Sequence, residues 1–76
     1  MRRDEWLAGF CERLGLEAPS KEDVVALLDL AATAAHSSER TAAPLACWVA
    51  GRSDRSLAEL GEIAKEVAPA PAEEQG

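Results

Sequence analysis

The chain has no C-x-x-C pair, no second histidine, no glycine-rich phosphate loop, no excess of basic residues and no apolar run long enough to cross a bilayer. Each absence removes a class of function. Cys11 and Cys47 stand far apart inside apolar stretches, so the paired spacing of a zinc or redox site is missing and two reduced, packed thiols are expected. His36 alone offers too few ligands to hold a metal. Gly9, Gly15, Gly51 and Gly61 are isolated, which excludes a phosphate-cradling loop. A formal net charge of -6 argues against nucleic acid as a partner, because proteins that bind a phosphate polymer carry a basic footprint. The uncharged stretch from Ala42 to Ala50 is too short for about 30 Å of hydrocarbon. Asp4 and Glu5, directly after Arg2 and Arg3, interrupt any secretion signal. The expectation is a cytoplasmic protein that engages neither nucleic acid nor membrane.

What is present points to helices. The 76 residues suffice for one domain, and a domain of this size withdraws only roughly 60% of its unfolded surface from water. Trp6, Leu7, Phe10, Cys11 and Leu14 recur at helical spacing and predict a first helix from about Asp4 to Leu14, ended by a left-handed Gly15. Ser20 is a natural N-cap for a second, central helix, with Glu22 and Asp23 facing the positive end of its dipole. That helix is apolar on most of its circumference, with Val24, Leu27, Leu28, Ala31 and Ala35 on one face and Val25 and Leu30 beside it. Its four alanines, Ala31, Ala32, Ala34 and Ala35, invite close approach by a neighbour. Thr41 or Ala42 starts a third helix with Pro44 in its first turn, an inward stripe of Leu45, Trp48 and Val49, and a stop at Gly51. Ser53 or Asp54 caps a fourth helix reaching about Val67, with Leu57, Leu60, Ala64 and Val67 as its stripe, Ile63 widening it, and Glu59, Glu62, Lys65 and Glu66 wet. The fold class is therefore all-α, a small four-helix bundle over residues 1–68, followed by a disordered acidic tail over 69–76. Trp6 and Trp48 are expected to contribute heavily to so small a core. If both prove exposed, they mark an interface instead.

The residues able to carry chemistry cluster between the second and third helices. His36 has two readings. It closes the last turn of the second helix, where an imidazole suits the negative dipole end, or it binds an anion or relays a proton. Arg40 presents a donor fork suited to a carboxylate or phosphate, or pairs weakly with Glu39 or Asp29 in solvent. Asp29 lies seven residues before His36 and shares its helical face. It is a solvated position or it orients His36 or Arg40. Ser37 and Ser38 adjoin His36 without the geometry of a triad. Arg40, Arg52 and Arg55 suggest a solvated rim or a convergent basic end. The short connection permits a helix-turn-helix, against which the lack of basic residues on the third helix argues. No catalytic residue is assigned, so a non-enzymatic protein is favoured.

Trp6, Cys11, Leu14-Gly15-Leu16, Leu28-Asp29-Leu30-Ala31, Ala35-His36, Arg40-Thr41-Ala42-Ala43-Pro44-Leu45 and Gly51 form a pattern over most of residues 6 to 51. In this the chain resembles a small actinobacterial helical domain family of unknown function, associated with the molybdenum-cofactor guanylyltransferase. Thr41 stands where that family has proline. The resemblance implies an accessory interaction module in molybdenum-cofactor (guanine dinucleotide) maturation. Its protein partner would be the guanylyltransferase or a molybdoenzyme, with Trp48, Trp6 and Pro44 as interface candidates. A second implication is a small anionic-ligand domain that holds molybdopterin or a guanine nucleotide through His36, Arg40 and Asp29, with no resident cofactor otherwise. A third possibility is a structural homodimer built on Trp48 or Trp6.

Overall fold

The computed structural model describes residues 1–67. They form four helices in chain order, α1 (Arg3–Leu14), α2 (Lys21–Ser37), α3 (Ala42–Gly51) and α4 (Leu57–Val67), with no strand among the described residues. The all-α class and the four-helix count follow the apolar periodicity. The expected tail over 69–76, and the boundary placed before it, lie outside the described residues.

Local chemistry sets the helix ends. At α1, the Glu5 carboxylate accepts the Arg2 backbone N–H at 3.0 Å, satisfying a donor the helix leaves free. Gly15, at φ 73°, closes the other end. Its N–H reaches the Glu12 carbonyl and the Leu16 N–H reaches the Cys11 carbonyl, the paired bonds that a left-handed residue allows. Ser20 caps α2 as expected, its Oγ accepting the Asp23 N–H at 3.0 Å. At α4 the expectation is corrected. Ser56, not Ser53 or Asp54, is the cap: its Oγ accepts the Glu59 N–H at 3.1 Å, and Glu59 Oε1 accepts the Ser56 N–H at 3.1 Å. Ser53 instead accepts the Arg55 N–H within the connection, a turn that delivers Ser56 to the cap position.

α2 is the spine, packing against α3 and α4. The core between them is small. Leu30 and Ala50, at 5% and 9% exposure, are the buried apolar residues, and Leu27, Ala31, Ala34, Ala46, Leu60 and Ala64 are half-buried around them. The faces therefore differ from the expected ones. On α3, Leu45, Trp48 and Val49 are exposed, and the more buried side is Ala42, Ala43, Ala46, Cys47 and Ala50. Small side chains on both helices let the backbones approach closely, and that approach excludes the bulky stripe. On α2, Leu30 rather than Leu28 is central, and Val25 and Leu28 are exposed. On α1, Leu7 and Cys11 are half-buried while Trp6, Phe10 and Leu14 are exposed. Val67, at the end of the α4 stripe, is exposed as well. Glu59, Glu62, Lys65 and Glu66 are solvated as their pattern requires.

Candidate functional site

His36 lies in the last turn of α2, Arg40 in the turn that leads to Thr41, and Asp29 two helical turns before His36; all three are exposed. Among the described residues no ion pair or side-chain hydrogen bond joins them. The Asp29 backbone carbonyl accepts the Thr33 hydroxyl at 3.1 Å, an ordinary back-bond within the helix. The arginines do not converge. Arg52 stacks its guanidinium over the Trp48 ring, 4.8 Å from the centroid, and Arg55 Nη1 sits 3.8 Å from Glu59 Oε2 along α4. No group of three or more metal-ligating side chains occurs among the described residues. Cys11 and Cys47 are both free and half-buried.

The apolar surface is more informative. Trp6 and Trp48 are 57% and 65% exposed, so neither makes the large core contribution expected of it. On α1, Trp6 stacks on Phe10 with ring centroids 5.0 Å apart. This i, i+4 pair holds two large rings together on the solvent side. On α3, Leu45, Trp48 and Val49 make a second exposed face, with Pro44 at its edge. A concavity of about 440 Å³ is walled by α2, α3 and α4 and lined by Leu30, Ala34, Ala46, Ala50, Leu60 and Ile63 among others. Ser37 and Ser38 touch its rim, but neither His36 nor Arg40 lines it.

Asp29 lines a different recess, with Lys21, Glu22, Val25 and Ala26. A monomeric domain seldom leaves so many large apolar groups in water. Among the groove residues, Ala46 and Ala50 of α3 went unread in the sequence because alanine carries so little side chain. The usable signal was the run of alanines shared by α2 and α3, which predicts a close helix contact and a shallow floor.

A family model for a domain of unknown function, DUF6457, matches residues 1–75. The chain belongs to that family. The match spans all four helices and both exposed apolar faces, so the groove and the aromatic pair are parts of a DUF6457 domain. No curated protein and no solved structure matches it. Among the described residues no helix is long and apolar enough to cross a membrane.

Proposed function

We propose that this DUF6457 domain is a non-enzymatic protein-interaction module, whose contact surfaces are the exposed apolar faces of α1 and α3. The observation that carries the reading is the exposure of both tryptophans. Tryptophan is the side chain most enriched where binding energy concentrates, and its rigid ring gives large contact area at low entropic cost. The class of partner comes from the sequence resemblance: the molybdenum-cofactor guanylyltransferase or a molybdoenzyme that receives its product, in the cytoplasm. The test is calorimetric titration of the purified domain against both proteins. Binding that Trp48→Ala weakens by about 10-fold or more, and that a His36→Ala/Arg40→Ala pair leaves unchanged, supports the reading. Absence of binding to either protein overturns the pathway. Binding indifferent to both Trp6→Ala and Trp48→Ala overturns the role of the apolar faces.

A second reading rests on the exposure of His36 and Arg40 at one connection: the domain holds an anionic ligand such as a guanine nucleotide or a pterin phosphate. The negative end of the α2 dipole beside His36 opposes an anion there, which ranks this reading second. Displacement of the His36 imidazole resonances by GTP supports it, and unmoved resonances at millimolar nucleotide overturn it.

A further inference from the structure

We infer that the partner of the α2–α3–α4 groove is a second copy of this chain, with the Trp6/Phe10/Leu14 face of α1 from each copy lying in the groove of the other. The inference rests on the interaction-module reading and deepens it by naming the occupant.

Both halves of the contact are present on one chain and do not meet within it. The groove is lined by the small side chains of Ala34, Ala46, Ala50 and Ala64 together with the larger Leu30, Leu60 and Ile63, and no α1 residue lines it. α1 carries the opposite relief, two stacked rings and a leucine standing in solvent. Large side chains from one helix against small ones from another is the arrangement that lets helices pack at short interaxial distance.

The exposed area has the size that a stable pair requires. A compact protein of 8.1 kDa exposes about 4,500 Å², whereas this chain exposes 6366 Å². The largest area that the mass of residues 68–76 allows, about 1,300 Å², is set aside. The remaining residues then carry on the order of 1,000 Å² more than a compact monomer of their mass needs. A standard interface takes about 800 Å² from each partner. Reciprocal docking supplies the contact twice, and a two-fold axis closes it without leaving an open end.

Charge permits the same pairing. The α1 segment balances Arg2, Arg3 and Arg13 against Asp4, Glu5 and Glu12. Residues 16–67 hold nine acidic and five basic residues, a net charge of -4 (five minus nine). Laying α1 on the body of the other copy brings a neutral arm to an acidic surface. Body against body would set like charges together. On α4, one wall of the groove, Glu59 and Glu62 pair with Arg55 and Lys65 of the same chain, and the solvated Glu66 is the acidic partner for an arginine of the incoming arm. The Leu45/Trp48 face of α3 stays outside this contact and remains open to a different protein.

The experiment is sedimentation equilibrium of the full chain from micromolar to millimolar concentration, with charged substitutions on either side of the contact. Phe10 and Ile63 are both exposed, so Phe10→Glu and Ile63→Arg should leave the helices intact, checked by circular dichroism. The wild type should double its mass. Each variant alone should raise the dimer Kd by at least about 100-fold, because symmetry applies the defect twice. An equimolar mixture of the two should dimerise again: one contact sets Glu against Arg, and the other is wild type on both sides. A dimer that both variants leave intact and Trp48→Glu abolishes overturns the arm-in-groove geometry. A strict monomer overturns the inference while leaving the interaction-module reading to the calorimetric test. In that monomer, amide shifts at Ala34 and Ala46 on Phe10→Glu would identify the chain's own α1 as occupant. The same shifts on removal of residues 68–76 would identify the C-terminal segment.

Discussion

Leu28 and Leu30 are the same residue type, two positions apart on one helix, at 53% and 5% exposure. Replacing each with alanine changes helix propensity equally, so the difference between the two variants reports burial alone. Leu30 contributes close to the whole of a leucine's transfer energy, and its removal enlarges a space already bounded by Ala34 and Ala50. Leucine-to-alanine changes in closed cores cost about 2.7 to 5 kcal/mol. Because the groove beside Leu30 opens to water, the cavity contribution is small and the expected cost is about 2 to 3 kcal/mol. Leu28 gives up half as much transfer energy and no cavity, so its cost is about 1 kcal/mol or less. A domain of this length has roughly 4 to 11 kcal/mol of stability in all, so the first change consumes a large share of it. Urea unfolding followed by far-UV circular dichroism, at a concentration low enough that association contributes nothing, measures both costs. Equal destabilisation by the two variants would refute the assignment of Leu30 to the core.

Four further outcomes follow from features already described. Gly15→Ala places a side chain at φ 73° with open space around it, so the cost is conformational only, about 1 kcal/mol, read as a Tm drop of roughly 4 to 8 °C. Ser56→Ala removes the α4 cap and costs about 1 kcal/mol in urea unfolding; Ser53→Ala, which loses only a turn contact, should cost clearly less. Arg52→Ala uncovers one face of the Trp48 ring and should shift that residue's fluorescence in a Trp6→Phe background. The His36→Ala/Arg40→Ala pair should leave the urea midpoint within about 0.5 kcal/mol of wild type, since both side chains are exposed surface positions.

Helix starts and stops were legible where a single residue type could do the job: Ser20 before an apolar run, Gly15 after one. The α4 cap was harder because Ser53, Asp54 and Ser56 all precede the helix. The deciding signal was Glu59, three residues after Ser56, since reciprocal capping needs that spacing. Which face of a helix turns inward was legible for α4, whose charged residues occupy one side. It was not legible for α3, where Ala42 to Ala50 contains no charge at all and periodicity cannot choose between a bulky and a small face. Helix-to-helix distance makes that choice, and it depends on the alanines of α2, a property of the pair rather than of either segment. The chemistry-bearing residues His36 and Arg40 lie near one connection, with Asp29 two turns away, and none of the three lines the apolar recess, because their exposed side follows from polarity whereas the recess follows from what alanine leaves unfilled.

A core with only Leu30 and Ala50 buried among the described residues also sets the thermal behaviour of the lone chain. Unfolding it hydrates little new hydrocarbon, and the heat-capacity increment, about 12 to 15 cal/mol/K per residue in ordinary domains, must fall below that range. A small increment flattens the curve of stability against temperature. The isolated chain should then melt over a broad interval and resist cold denaturation, and occupation of its apolar faces should sharpen the transition by restoring the missing hydration change.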